Sequence, residues 1–210
     1  MTVPGRAGPV TAGELAGLPV CGPSCPHGDL TREIGWATGT EERFGWCGVR
    51  LSEESATIGY LLLAAPGLAP QRGPYPTAST SPDAAVLVRV WIDPQRRGHG
   101  LGRQLVQRAA AAAHRAGIPA IEAIGGADAG PWAVAPLPWL RRAGFTVVRN
   151  HPLHPRVRLD LDTTVRLPRW TAVLDRIRSL VHRPQAPPQP TGRNGPRPSA
   201  ARAARVDVLS

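Results

Sequence analysis

Apolar runs separated by polar breaks divide the chain into short predicted elements. The longest apolar run with β-branched residues, Ala84 to Ile92, predicts a buried strand. Asp93-Pro94 ends it, because proline cannot donate to a sheet. Apolar residues then recur at helical spacing and predict a helix that Gly117 closes. Its stripe consists of Leu101, Leu105, Ala109, Ala112 and Ala113. A strand, a loop and a helix therefore form the centre of the predicted fold.

Shorter patterns predict further elements on both sides of this unit. Residues 31–42 are mostly polar and predict a short helix, while 44–51 and 55–65 predict the two strands of a hairpin. Three more strands and a short helix are predicted at 120–124, 146–149, 156–161 and 139–144. Because a helix crosses between them, the strand at 120–124 is expected to run parallel to the one at 84–92.

The loop between the central strand and its helix carries candidate chemistry. Residues 96–102 contain two arginines and three glycines. Glycine lets the backbone approach a ligand closely, and the helix N-terminus behind it adds partial positive charge. The loop is therefore predicted to bind an anion, most simply a phosphate. A P-loop fits worse because the chain has no lysine, and a dinucleotide loop fits worse because Arg103 stands where its third glycine belongs.

Length and charge narrow the class of protein. The 210 residues are enough for one domain with a substantial core. The net charge is +10, and every basic side chain other than histidine is arginine, which fits either anionic partners or the codon usage of a GC-rich genome. No signal-peptide pattern is present, and no apolar run reaches the roughly 20 residues of a membrane helix. We therefore expect a cytoplasmic location and no membrane partner.

The three cysteines are a candidate metal site. Cys21, Cys25, His27 and Cys47 could in principle bind zinc. Three residues separate the first two cysteines where two are commoner, and no second ligand pair follows. Free thiols in a reducing compartment are therefore favoured, and no metal is expected. A substrate-facing role stays open for the first two cysteines, since their loop is rich in proline and glycine.

One carboxylate stands out as a candidate general base. Glu122 is the single acid in an apolar, parallel strand, where it is costly unless it has a partner or faces a cleft. The alternative is a strand-edge side chain that points to water. Tyr75, in the long loop 66–82, and Asp83 are the fallback candidates. His99 either touches a phosphate or is an ordinary exposed loop residue.

These motifs resemble the GNAT family of N-acetyltransferases. Arg97-x-x-Gly100-x-Gly102, after a strand that ends Ile92-Asp93-Pro94, resembles the family's acyl-CoA motif. Ala143-Gly144-Phe145 resembles the turn that closes its last short helix. The resemblance covers about residues 10–165. It is closest to a group of actinobacterial members with a Cys-rich turn near the N-terminus and an Arg-Leu-Asp-Leu-x-Thr-Thr-Val-Arg stretch near the end, here 21–25 and 158–166.

The resemblance implies a fold and an activity. The fold would be α/β (α+β), with a mixed, mostly antiparallel central sheet that is flanked by helices and splayed at the acyl-CoA site. The activity would be direct transfer of an acetyl group from acetyl-CoA, the co-substrate, to an amine of a small molecule or a protein. A homodimer is left open. The alternative is a GNAT-fold protein without catalysis that binds acyl-CoA or interacts with nucleic acid.

The resemblance also assigns residues to this site. Backbone groups of Val90, Trp91 and Ile92 would pair with the pantetheine arm, and one amide near Val90 would polarise the thioester carbonyl. The pyrophosphate would be held in the loop that begins at Arg97, by Gly98, His99, Gly100, Leu101, Gly102 and Arg103. A base must take the amine's proton, and Glu122 is the predicted catalytic residue.

The chain departs from the family at one position. Many members place a tyrosine five residues before the phenylalanine of the last short helix, as general acid to the CoA thiolate. That position is Leu140 here, so another group, a water or unassisted departure of the thiolate must serve. The missing acid favours the alternative without catalysis.

The resemblance and the composition together predict three parts along the chain. Residues 1–165 would form the acetyltransferase domain, and 166–182 carry an apolar stripe typical of a helix that packs on this domain or on a partner chain. Residues 183–210 are rich in proline and arginine and are predicted to be a disordered tail. Its five arginines could contact nucleic acid without specificity, but a solvated tail is favoured.

Overall fold

The structure is a computed structural model that describes residues 6–19, 34–69, 77, 80–126 and 135–162. Several sequence predictions fall outside the described residues, namely those on Cys21, Cys25, His27, Tyr75 and the segment 166–210. The described residues all belong to one compact unit, Met1–Leu167. The division of the chain into three parts stays a prediction.

The described part of the chain contains eight strands and three α-helices. The strands are β1 (Arg6–Val10), β2 (Gly48–Glu53), β3 (Ala56–Ala64), β4 (Ala84–Ile92), β5 (Ala120–Gly126), β6 (Ala135–Pro136), β7 (Thr146–Arg149) and β8 (Arg156–Asp160). The helices are α1 (Gly35–Phe44), α2 (Leu101–Arg115) and α3 (Leu137–Arg142). The sheet order is β1-β2-β3-β4-β5-β8-β7, and β6 pairs with β5. All pairs are antiparallel except β4 with β5 and β5 with β6, which confirms the mixed, mostly antiparallel sheet.

Short-range sequence signals determine where most of the strands and helices begin and end. β4 covers the predicted residues, and Asp93 ends it by accepting a hydrogen bond from the Gln95 amide at 2.9 Å. The hairpin of β2 and β3 is confirmed, but its first strand was predicted too early. Phe44 ends α1 instead, because Gly45 adopts a left-handed conformation, with φ of 76°, that stops the helix.

The sheet buries a separate hydrophobic core on each face, because successive strand residues point to opposite sides. Leu61 and Leu63 of β3 pack with α2. Tyr60 and Leu62 of the same strand pack on the other face with α1. The helix after the central strand therefore covers one face of the sheet, and the N-terminal helix covers the other.

The sheet is splayed between β4 and β5. The two strands pair only from Ala84↔Ala120 to Val86↔Glu122. Just beyond this point the register with β3 jumps from Leu63↔Leu87 to Leu62↔Arg89, so Val88 is an extra residue on β4. Such a β-bulge bends its strand. The second half of β4 consequently leaves β5 and, among the described strands, pairs with β3 alone.

Candidate active site

A cleft of about 920 Å³ opens where β4 leaves β5. Its walls are the second half of β4, the arginine–glycine loop, the first turn of α2, β6 and α3. The three strongest sequence signals, namely the central strand, the loop and the last short helix, therefore meet around one space.

The structure brings nine of the ten predicted cofactor-binding residues together in the lining of this cleft. They are Val90, Trp91, Ile92, Arg97, Gly98, Gly100, Leu101, Gly102 and Arg103. His99 is the exception. Its side chain is exposed and folds back on the loop, with Nδ1 2.8 Å from the carbonyl oxygen of Arg97. These positions do not test ligand binding, so the assignment stays a prediction.

The loop backbone depends on two glycines. Gly98 and Gly100 have φ of 81° and 79°, in the left-handed region that other residues rarely adopt, and both have open space where a Cβ would lie. Gly100 is also the N-cap of α2, whose first N–H groups lack partners within the helix. The loop thus presents bare backbone at a helix N-terminus, the arrangement that favours anions.

Gly102 is required for a different reason, which is close packing. A Cβ at this position would lie 2.8 Å from Cζ2 of Trp139 and 3.0 Å from Cδ1 of Ile92. The absence of a side chain lets Trp139 of α3 close on α2 at the wall of the cleft. Gly102 therefore sets the width of the cleft.

The cleft is strongly cationic. Its described lining contains five arginines and no aspartate or glutamate: Arg89, Arg96, Arg97, Arg103 and Arg142. Arg96 pairs with Glu53 outside the lining, at 2.5 Å. Arg89 was missed at the sequence level, although it is the one charge within the apolar run of β4. A lining of this charge attracts anions and disfavours cations.

Glu122, the predicted base, lies outside the described lining. Its carboxylate is fully buried below the splay and accepts hydrogen bonds from the Ser81 hydroxyl at 2.6 Å and the Ser81 amide at 3.0 Å. Arg158 donates to it at 3.3 Å, and Arg156 lies at 3.7 Å. The strand-edge alternative, with the side chain in water, is wrong. The catalytic role stays a prediction, although the contacts are those of a buried ion pair.

Asp83, a fallback candidate, belongs to the same ion-pair cluster. Arg158 donates to its carboxylate at 2.8 Å and to Asp160 at 2.7 Å. The hydrogen bond from Arg158 lowers the pKa of Asp83 below its usual value, and this bond in turn raises the pKa of Arg158. The cluster joins β8 to the start of β4 and to β5.

Cys47, for which a free thiol was favoured over a zinc ligand, lies in the core. It is fully buried, its Sγ donates to the carbonyl oxygen of Val10 at 3.4 Å, and burial raises the pKa of its thiol to about 12. Within the described ranges no group of His, Cys, Asp and Glu side chains could hold a metal ion. The same part of the chain contains no helix long and apolar enough to cross a membrane.

Comparison with known proteins identifies the family. The model of the acetyltransferase (GNAT) family matches residues 18–135, more than half of the chain. The chain therefore belongs to the GNAT acetyltransferase family, which confirms the resemblance at the level of the family. No curated protein sequence gives a significant match.

The chain is also similar to solved structures. YncA from Salmonella typhimurium, solved with its cofactor acetyl-CoA, is 17% identical with a TM-score of 0.51, and the match covers 75% of this chain and 94% of that one. An N-acetyltransferase from Staphylococcus aureus is 15% identical with a TM-score of 0.49, covering 74% and 98%. PaiA N-acetyltransferase from Thermoplasma acidophilum, in complex with coenzyme A, is 14% identical with a TM-score of 0.43, covering 63% and 69%. At 17% identity, the likeness to YncA shows a common fold.

Proposed function

We propose that this protein is an acetyl-CoA-dependent N-acetyltransferase that moves the acetyl group directly to an amine. The observation that carries the proposal is the cationic cleft at the splay, with the loop of Gly98 and Gly100 at one end of it. Acetyl-CoA, the co-substrate present in the YncA structure, supplies an acetyl thioester whose thiol leaves. Its phosphates match the charge of the loop, and its extended pantetheine arm matches the edge of β4 that has left β5.

Different residues of the cleft would bind different parts of the co-substrate. Amides from Gly98 to Arg103 and the N-terminus of α2 would bind the pyrophosphate, with Arg97 and Arg103 adding charge. Backbone groups of residues 90–92 lie beyond the last β4–β5 pair, so they can pair with an extended arm, as a strand edge does with a peptide. One amide near Val90 would polarise the thioester carbonyl.

The described lining offers fewer groups for proton transfer than for binding of the co-substrate. The attacking amine must be neutral, and the described cleft lining offers no carboxylate to take its proton. Glu122 could reach the cleft only through Ser81 or water. The general acid for the leaving thiolate is also missing from α3. Leu140 stands where many family members have a tyrosine, and it is fully buried in the core. Water or unassisted thiolate departure fits this lining best.

Changing Leu140 to tyrosine should therefore fail to create the acid that many family members have. The side chain points into the core, where a larger, polar residue is expected to lower the free energy of unfolding by about 1–3 kcal/mol. Urea unfolding measures this loss, with Leu140→Met, a swap of similar volume, as the control. A Leu140→Tyr protein of wild-type stability would show that this position can turn toward the cleft.

The second candidate function is an acyl-CoA-binding protein without catalysis. Two features favour it: the described cleft lining contains no carboxylate, and α3 contains no tyrosine. Both candidates require the cofactor loop, and only the first releases CoA thiol in the presence of an amine. The actinobacterial subgroup, a cytoplasmic location and a homodimer stay predictions.

Calorimetric titration with acetyl-CoA tests binding of the co-substrate, which both candidate functions require. We expect micromolar binding by the full-length protein, followed by release of CoA thiol when a panel of amines is added. Binding without release for any amine would favour the second candidate. No binding of acetyl-CoA would contradict both.

A further inference from the structure

Trp91, in the second half of β4, is a partly exposed aromatic residue of the cleft lining. The proposed binding of acetyl-CoA uses only the backbone at this position, so the proposed function gives the indole no role. Ligand sites in proteins are lined mainly by apolar and aromatic side chains. A large indole that stays partly exposed in a ligand-sized space therefore indicates a contact surface for a substrate.

A stacked partner fixes the orientation of this indole. Tyr60 of β3 lies directly opposite Trp91, and the two rings stack with centroids 5.6 Å apart and an angle of 19° between their planes. Tyr60 is fully buried, and its hydroxyl donates to the carbonyl oxygen of Pro19 at 2.9 Å. Because Tyr60 is anchored in this way and covers one face of the indole, the other face is the one that a ligand can reach.

The indole and the cofactor loop belong to opposite sides of the sheet. Val88 and Trp91 pack with the core on the α1 side, whereas Val90 and Ile92 pack with the core on the α2 side, as does Leu101 in the first turn of α2. All five residues line the cleft. Acetyl-CoA would enter from the loop on the α2 side, so the α1 side is where a second substrate can approach without crossing it.

The described lining offers this second substrate few polar contacts. Apart from its arginines, the lining consists of apolar residues and glycines. Arg89 is only 5% exposed and lies beside the Tyr60 hydroxyl, whose pKa is raised by burial and lowered by this guanidinium. On the α1 side the indole of Trp91 is therefore more accessible than the guanidinium. An acceptor with an apolar body fits such a surface better than one that depends on hydrogen bonds from neutral side chains.

We propose that the acetyl acceptor is a small primary amine that carries an aromatic ring, and that this ring packs on the indole of Trp91. This inference rests on the proposed function. Contacts between aromatic rings add to the gain from burying apolar area, so an aromatic body uses this surface better than an aliphatic one. The amine nitrogen forms a bond to the acetyl carbon, the C–S bond breaks, and its electron pair leaves with the sulfur. The extra proton on nitrogen passes to water.

Matched amines test the inference. The full-length protein, at saturating acetyl-CoA, is assayed for thiol release with phenethylamine, cyclohexylethylamine, ethanolamine and spermidine. The first two share the same amine arm and differ in whether the ring is aromatic. We expect kcat/KM for phenethylamine to exceed that for cyclohexylethylamine by about three- to tenfold. It should exceed that for ethanolamine by about tenfold or more, because ethanolamine has no ring to bury.

Variants at Trp91 locate the effect. Trp91→Leu is expected to abolish the preference for phenethylamine over cyclohexylethylamine through KM, with kcat little changed. Trp91→Phe should keep the preference with a higher KM, because its smaller ring offers less contact area. Both variants retain the β4 backbone, so their affinity for acetyl-CoA should stay close to that of the wild type. If Trp91→Leu does not fold, the wild-type ratios and the phenylalanine variant still decide.

Trp46 supplies the matched control. It is also partly exposed and also has an aromatic neighbour, Phe44, at 6.2 Å between ring centroids, but it does not belong to the described lining of the cleft. Trp46→Leu should therefore keep the wild-type preference. An equal loss of preference in the two leucine variants would mean that the effect does not arise from contact with Trp91.

The outcomes separate this inference from the proposed function. Equal kcat/KM for phenethylamine and cyclohexylethylamine, or a preference for ethanolamine or spermidine, would overturn the inference while acetyl transfer to an amine stands. Acetyl-CoA binding without acetylation of any amine would overturn the inference and favour the protein without catalysis. If acetyl-CoA does not bind at all, the proposed function and this inference fall together.

Discussion

Replacing Gly100 by tryptophan is expected to weaken acetyl-CoA binding by about a hundredfold or more, since it removes several interactions with charged groups at once. Gly100 has φ of 79°, and a side chain there would occupy the open space over the loop, where the pyrophosphate should lie. It would also disturb the N-cap of α2 and so the direction of the first N–H groups. The measurement is calorimetric titration of the purified variant with acetyl-CoA.

Gly117 supplies the matched control for this variant. It lies just beyond the other end of α2, has φ of 75° and likewise has nothing within 4 Å of an added Cβ. Gly100→Trp and Gly117→Trp should therefore carry a similar backbone cost of about 1–2 kcal/mol, from the left-handed conformation. Only the first should lose acetyl-CoA binding. Equal affinity in the two variants would mean that the loop is not the co-substrate site.

The sequence predicted the centre of this fold well because its signals are local. Asp93-Pro94 fixes the end of β4 through backbone chemistry that does not depend on the rest of the chain. Gly117 and Gly144 have φ of 75° and 103° and end α2 and α3 near where the sequence predicted. The glycines of the loop likewise indicate, from residue type alone, a left-handed backbone that other residues rarely adopt. These features needed no knowledge of tertiary contacts.

Other features depend on pairing between distant segments, and these were missed. β1 contains Gly8 and Pro9, which suit an edge strand that is held by β2. The bulge at Val88 leaves no signal in the apolar run of β4, since it exists only relative to the register of β3. Arg89 directly follows that bulge and lines the cleft. Its charge was visible in the sequence, but the cleft that it lines was not.

Glu122 shows how a correct signal can support two different roles. A carboxylate in a buried parallel strand does need a special reason, as the sequence argument stated. The structure supplies such a reason without the cleft, because Ser81, Arg156 and Arg158 surround the carboxylate. Sequence alone could not show these partners, since two of them lie on β8 and the third precedes β4.

Changing Glu122 to glutamine is expected to lower the free energy of unfolding by about 3 kcal/mol, because it removes the buried negative charge that faces both Arg156 and Arg158. Glutamine keeps the shape of the side chain, so the loss reports the charge. Glu42→Gln, at an exposed position on α1, is the matched control and should be neutral. Urea unfolding at neutral pH measures both variants.

Turnover by the same variant distinguishes the two roles of Glu122. A general base contributes about 10²–10⁴-fold to the rate, so its loss would reduce kcat by that factor in protein that is still folded. The buried contacts lead us to expect the opposite pattern, in which stability falls and kcat changes little. A large loss of kcat at wild-type stability would establish Glu122 as the base, acting through Ser81 or a water.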